Sequence, residues 1–441
     1  MGDVLCEGEV VTQVGPHIHA PEDAEVIDAT GKYVFPGFID PHVHIHLPFM
    51  GTYAKDTYES ASRAALVGGT TTLIEMCCPS RSDQPLEAFE LWKSKAANSA
   101  CDYSFHMGVS RFDGSTAAQL REIVHQGVAS FKVFLAYKGA FGVTDEELFA
   151  TLSLAKDLGV IVTAHCENET LIDALQRQLL AGGKTGPQWH EPSRPTRVEA
   201  EGVHHLMSFA ELTGAHVYCV HTSCRAALEA VQAARLRGVR AWVETVIPYL
   251  TLDKTYAELP NFEGAKYVMS PPLRDPIEQP YLWSAIGSRL ISTIATDHAP
   301  FDFAQKKMGI DDFTKIPNGI PSLENRVNLL YTYGVCGGHL DLNTFVDAAS
   351  TQAAKLFGIY PRKGTIQVGS DADLVVYDPD YRGKISAATQ LMDVDYSAYE
   401  DWEIKGRSSL VTVRGQIQAR EEKFVGTLGH GQFLARMPTH F

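Results

Sequence analysis

The chain has 441 residues, with 38 Lys and Arg against 53 Asp and Glu, a formal net charge of −15. That charge disfavours nucleic acid or an anionic membrane as a partner. A composition 45% hydrophobic and 21% charged, with 36 Gly and 22 Pro, is that of an ordinary globular protein and excludes disordered, collagenous and coiled-coil classes.

The N-terminal stretch Met1-Gly2-Asp3-Val4-Leu5-Cys6 lacks the basic and apolar regions of a signal peptide. Nothing further along approaches the roughly 18 apolar residues of a membrane span. The 8 cysteines show no paired C-x-x-C spacing. A soluble, cytoplasmic protein without a disulfide framework is therefore expected.

In chain order, residues 1–33 hold short β-type runs at 10–14 and 25–28, broken by Gly and Pro. From there to about residue 300, short apolar runs alternate with longer amphipathic stretches. The runs at 33–46, 71–77, 103–109, 130–137, 160–168, 216–223, 240–246 and 290–300 are predicted strands. Between them, 57–67, 117–125, 145–158, 197–213 and 225–237 carry apolar residues at three- and four-residue spacing and are predicted helices. Strand then helix, with continuous rather than alternating strand hydrophobicity, indicates a parallel sheet covered by helices. Eight such units fit a closed (β/α)8 TIM barrel over 34–361. Residues 362–420 return to strand, turn and strand, and are expected to join 1–33 in one small β-sandwich domain. Residues 421–441, Gly-rich and carrying Phe433, Leu434, Met437 and Phe441, read as a C-terminal tail.

Five of the predicted strands carry a metal-capable side chain near the C-terminal end, where barrel active sites are built. These are His42 and His44, Lys132, His165, His221 and Asp297. His-x-His alone is weak, because 17 histidines give roughly 0.7 such pairs by chance. His17-Ile18-His19 has the same spacing in the end domain and serves as a control. Placement on five different strands is the stronger signal. Residues i and i+2 of a strand point to one side, so His42 and His44 reach the same barrel mouth. Imidazole suits zinc and other divalent ions, and Asp297 suits both metal binding and proton transfer. Lys132 on an apolar strand is the anomaly, since a buried ammonium beside divalent cations is strongly disfavoured.

The motifs 36-PGFIDPHVHIHLPF-49, 131-FKVFLAYKGAF-141, 164-AHCEN-168, 220-VHTS-223, 269-MSPPLR-274, 295-ATDHAPF-301, 317-PNGIPSLENR-326 and 354-AKLFGIYPRKGTIQVGSDADLVV-376 resemble the cyclic amidohydrolases, most closely the dihydropyrimidinase and hydantoinase branch. The resemblance implies a lysine carboxylated by carbon dioxide to a carbamate that bridges two divalent metal ions, expected to be zinc. It implies His42, His44, Asp297 and carbamylated Lys132 on one ion, and Lys132, His165 and His221 on the other. It further implies that a metal-activated hydroxide attacks a ring amide, with Asp297 carrying the proton. Tyr137 would donate to the oxyanion, and the main chain at Ser270 and Asn318 would hold the second ring amide. Phe49, Met50, Phe134 and Phe141 would face the ring substituent. The expected substrate is a small cyclic amide, a hydantoin or dihydropyrimidine opened to an N-carbamoyl amino acid, and the expected assembly is a homo-oligomer, a tetramer or a dimer. Allantoinase or dihydroorotase-like ring opening is the enzymatic alternative, and a non-catalytic scaffold of the same fold is the other.

Two features depart from the branch. His46 stands where hydantoinases have Asp, and is expected to contact a polar or anionic group of the substrate. The chain also starts at a point where members of that branch have an additional strand pair before it, so the small domain is expected either to lack its first strands or to begin upstream.

Overall fold

Two short strands, β1 (Asp3–Glu7) and β2 (Val10–Gly15), form an antiparallel hairpin, followed by a stretch without regular structure to residue 32. The predicted strand at 25–28 is absent: Val26 and Ile27 are exposed and no neighbouring strand meets them. The predicted strand at 33–46 divides in two. β3 (Tyr33–Pro36) pairs with the terminal sheet, while β4 (Phe38–Val43) enters the barrel. Gly37 is the pivot, since a Cβ there would stand 2.1 Å from Thr71 Oγ1. This computed structural model describes residues 2–438. Met1 and residues 439–441, including Phe441 of the expected tail, lie outside the described residues.

The barrel continues through β5 (Thr70–Cys77), β6 (Asp102–Gly108), β7 (Ser130–Phe134), β8 (Ile161–His165), β9 (His216–Cys219), β10 (Ala241–Val246) and β11 (Thr293–Ala295), each parallel to the one before it. Closure is made just past the ends of β4 and β11. Asp297 N–H donates to His42 O at 3.0 Å, and His44 N–H donates to His298 O at 2.8 Å. All six residues of β4 and all eight of β5 are buried. Such two-sided burial demands the continuous apolar runs seen in the sequence, each fully buried aliphatic side chain contributing about 1.5–3 kcal/mol.

The intervening helices follow their capping signals. Thr57 caps Tyr58–Val67 and Thr144 caps Asp145–Leu158, each in a reciprocal capping box, and Asp113 caps Gly114–His125. Thr196–Thr213 and Arg225–Leu236 fall where the spacing predicts helices. Among the described residues no helix is long and apolar enough to cross a membrane.

A five-stranded antiparallel sheet is assembled from both ends of the chain. Its order is β15 (Lys423–Phe424), β14 (Gln416–Arg420), β13 (Glu403–Val413), β12 (Leu374–Lys384) and β3. The β1–β2 hairpin docks beside it, with Val11 N–H donating to Ser370 O and Ala372 N–H donating to Glu9 O. The segment after β15 runs back beneath the barrel. There Arg436, fully buried, donates from Nε to Ser104 Oγ and from Nη2 to Ser130 Oγ.

Sheet and barrel are joined by a buried ionic cluster. Lys363 Nζ lies 2.6 Å from Asp102, 3.0 Å from Asp371 and 2.7 Å from Asp373. Arg414 also pairs with Asp102, whose carboxylate accepts from Gln432 N–H of the tail. Asp102→Ala would leave two buried cations short of a partner. We expect it to destabilise the fold by about 3–5 kcal/mol, read as a lowered midpoint in guanidinium unfolding; an unchanged midpoint would deny the cluster its joining role.

Candidate active site

The sequence-predicted ligands converge on the C-terminal mouth of the barrel. His42 lies in β4 and His44 follows it, Lys132 is central in β7, and His165 ends β8. His221 follows β9 by two residues and Asp297 follows β11 by two. All six are buried, and all line one cavity together with Tyr137, Ser270 and Asn318. Three of these positions have left-handed backbones that non-glycine residues rarely adopt: Tyr137 at φ 62°, His221 at 37° and Asp297 at 51°. Each costs about 1–3 kcal/mol, a strain concentrated at functional sites.

Carboxylate neighbours decide which imidazole nitrogens face the cavity. Glu244 Oε1 lies 2.6 Å from His42 Nδ1. A carboxylate only accepts, so Nδ1 carries a proton, and the neutral imidazole that a metal ion binds presents its lone pair at Nε2. Glu167 Oε2 holds His165 Nε2 at 2.8 Å, which leaves His165 Nδ1 free, 2.9 Å from His221 Nε2. On the other side, His42 Nε2 and His44 Nε2 each stand 3.1 Å from Asp297 Oδ1. The nitrogens and the carboxylate of His42, His221 and Asp297 lie within 4.8 Å of one another. His42 Nε2, His221 Nδ1 and Lys132 Nζ have no hydrogen-bond partner among the described residues. Buried polar atoms left in this state are costly unless a further group takes them. Divalent cations fit that donor set.

Burial opposes ionisation of Asp297, but His42, His44 and His221 hold its carboxyl well below the usual carboxylate range. Burial likewise disfavours the imidazolium of His42, yet Glu244 and Asp297 raise it to about 9 in the absence of metal. The two buried lysines form a sharp contrast. Lys363 is surrounded by three carboxylates, which outweigh burial and raise its pKa. Lys132 is fully buried with no ion-pair partner among the described residues, and burial pulls its pKa down against the weaker pull of Asp297, Cys78 and Glu244. The Asp102, Asp371 and Asp373 group, also close enough to hold a cation, already has an ammonium at its centre.

Opposite the ligands, Asn318 Nδ2 donates to Ser270 Oγ at 2.9 Å and to Tyr137 Oη at 3.4 Å. Burial, the largest influence, raises the Tyr137 phenol above its ordinary pKa, so it remains a donor. Gly319 brings this segment hard against the barrel, since a Cβ there would stand 2.1 Å from Ala299 O. Phe49 sits on the hairpin Pro48–Phe49 and Thr52–Tyr53. Its ring lies 6.3 Å from Phe141 and 5.6 Å from Tyr137, so it caps the cavity. Phe134 lines the same wall, while Met50 at the hairpin tip does not.

His46 does not join the site. Regular pairing has ended by this point, and the backbone turns through φ 51°, which carries the ring onto Tyr53 at 5.1 Å and outside the cavity. Cys219 is buried and is absent from the cavity lining. His298 points away and bonds Asp56 at 2.7 Å.

The orienting residues Glu244, Glu167 and Arg194 were not legible as such. Arg194 Nη1 donates to Glu167 Oε2 at 2.6 Å and fixes the carboxylate that holds His165. Glu244 also accepts from Tyr218 Oη at 2.8 Å and from His221 N–H at 2.9 Å. A buried acid in the middle of an apolar strand was the available signal for Glu244. Glu244→Gln keeps the shape and removes the charge, so metal affinity is expected to weaken about 10–100-fold. Chelator competition would measure it, and unchanged affinity would show that Glu244 does not orient His42.

Residues 33–417 match the amidohydrolase family. The chain is 45% identical over 437 residues to the D-hydantoinase of Geobacillus stearothermophilus, which spans 98% of this chain and 93% of that protein. It is 37% identical over 446 residues to the dihydropyrimidinase of Rattus norvegicus, 99% of this chain and 86% of that one. Among solved structures, a D-hydantoinase (dihydropyrimidinase) from Thermus sp. superposes with a TM-score of 0.98 at 62% identity, over 100% of this chain and 96% of its own. Full-length matches of this kind, on a barrel whose strand ends gather this donor set, leave one conclusion: the chain belongs to the amidohydrolase family.

Proposed function

We propose that this protein is a metal-dependent hydrolase of cyclic amides that opens a hydantoin or dihydropyrimidine ring to an N-carbamoyl amino acid. The observation that carries the reading is the set of free imidazole nitrogens facing Asp297 around an unpartnered buried lysine. In this reading His42, His44 and Asp297 would hold one divalent ion, His165 and His221 would hold the other, and Lys132, as its carbamate, would supply the anionic charge that two cations need. Zinc suits the imidazole-rich set. Burial, which lowers the basicity of Lys132, favours carbamylation, because the neutral amine is the form that attacks carbon dioxide: an N–C bond forms, the amine proton leaves, and the side chain becomes an anion.

When bound, the ions polarise the scissile carbonyl and acidify water. The chain's own groups do the rest. Asp297 takes the proton of the attacking water and passes it to the leaving ring nitrogen. Tyr137 Oη, kept protonated by burial, donates to the oxygen on which charge develops. The main chain at Ser270 and Asn318 grips the second ring amide, and Phe49 with Phe141 closes over the ring substituent. The resemblance supports a homo-oligomer, a tetramer or a dimer, which light scattering measures.

Hydantoin, dihydrouracil, allantoin and dihydroorotate, presented to metal-assayed enzyme, test the reading. Faster turnover of the first two supports it. Preference for allantoin or dihydroorotate would move the substrate assignment, and fully metallated enzyme inert toward all of them would overturn it in favour of a scaffold.

A further inference from the structure

Lys306 has no part in the chemistry described above. It ends the short helix Phe303–Lys306, and its side chain is fully buried. No carboxylate pairs with it among the described residues. Its ammonium instead donates to three main-chain carbonyls: Val268 O at 3.0 Å, Pro317 O at 2.7 Å and Gly319 O at 2.7 Å. The ring of Phe301, which also lines the cavity, lies 5.7 Å away. An ammonium has three donors, and here each has one acceptor.

The location of those acceptors is informative. Pro317 and Gly319 flank Asn318 on both sides, and Val268 precedes Ser270 by two residues. Val268 O also accepts from Gly319 N–H at 2.9 Å, so the two segments are already laced together and Lys306 binds them from behind. The preceding residue, Gln305, reaches the opposite way. Its Nε2 donates to Thr52 Oγ1 at 2.5 Å and to Tyr53 O at 2.9 Å, on the hairpin that carries Phe49. One helical turn therefore touches both the hairpin over the ring substituent and the segments proposed to hold the ring. Burying a cation without a counter-charge is costly for stability alone, and an apolar side chain of similar volume would fill the space without that cost.

We infer that Lys306 is a positioning residue for the substrate: it fixes segments 268–270 and 317–319 in register so that their main chain meets the second ring amide. The inference rests on the functional reading above. Lys306→Met keeps the length and removes all three donors. With the metal-loaded enzyme, KM for hydantoin is expected to rise about tenfold or more, while kcat stays within about threefold and metal content is unchanged. Amide hydrogen exchange in 268–271 and 317–320 should rise about tenfold or more. A role confined to folding would instead lower the melting temperature and the active fraction, hence apparent kcat, with KM unmoved.

If the Met variant fails to fold, Lys306→Arg provides the test. It retains charge, but its planar fork cannot meet three carbonyls arranged about a point, so the same rise in KM and exchange is expected. Unchanged KM and unchanged exchange in whichever variant folds would overturn the inference. Wild-type enzyme inert toward hydantoin and dihydrouracil would instead count against the functional reading. The exchange measurement would still decide whether Lys306 holds the two segments.

Discussion

Lys132→Ala is expected to abolish ring opening, with kcat/KM falling about 10⁴-fold or more and bound metal falling from about two equivalents to one or none. The reason lies in charge. Two imidazoles on one side, His42 and His44, and two on the other, His165 and His221, are neutral donors, and Asp297 supplies a single negative charge. Two divalent ions brought together there repel each other unless an anion stands between them. On the proposed assignment Lys132, which lines the cavity with its Nζ unpartnered among the described residues, becomes that anion. Alanine removes the bridge and leaves a gap about the size of a short carboxylic acid. Added acetate or propionate should restore part of the activity and part of the metal. Elemental analysis beside steady-state kinetics measures both. Undiminished turnover would sink the carbamate assignment, whereas loss of activity with full metal content would assign Lys132 to substrate rather than metal.

Asp297→Asn is expected to lower kcat by about 10²–10⁴-fold with a smaller change in KM. The amide matches the carboxylate in shape and still offers an oxygen, but it accepts no proton at the pH of assay. Asp297 stands 3.1 Å from both His42 Nε2 and His44 Nε2 and lines the cavity. No other carboxylate lines that cavity among the described residues: Glu244 and Glu167 are spent on imidazole protons. A kcat within about tenfold of wild type, at full metal content, would place the base elsewhere.

The barrel was legible because two-sided burial writes itself as continuous apolar runs, and because three- and four-residue apolar spacing marks the helices between them. The division of 33–46 was not. A glycine between two apolar runs is silent about which sheet each run joins, and the reason, the close approach of Gly37 to Thr71, is tertiary. The six candidate ligands could be read because strand ends and residue type carry the same message. The expectation for His46 rested on its place in a motif, and a motif position does not show that the chain turns after β4 and lays the ring on Tyr53. Lys306, Glu244 and Arg194 were invisible for a common reason. Each acts on partners 11 to 202 residues away in sequence, and no local pattern marks a residue whose task is to hold others.

The strand ring closes where β4 meets the segment after β11, and Thr296 and His42, which touch across that junction, are 254 positions apart. His42 and His44 emerge early in synthesis, while Asp297 emerges only when about two thirds of the chain has been made. A ribosome-bound fragment therefore presents two histidines with no carboxylate to complete them, and holds that cation weakly. On the proposed ligand assignment, capture of this ion is an event of the finished polypeptide. Expression in metal-poor medium followed by later supplementation should yield the same loaded enzyme as growth with metal throughout.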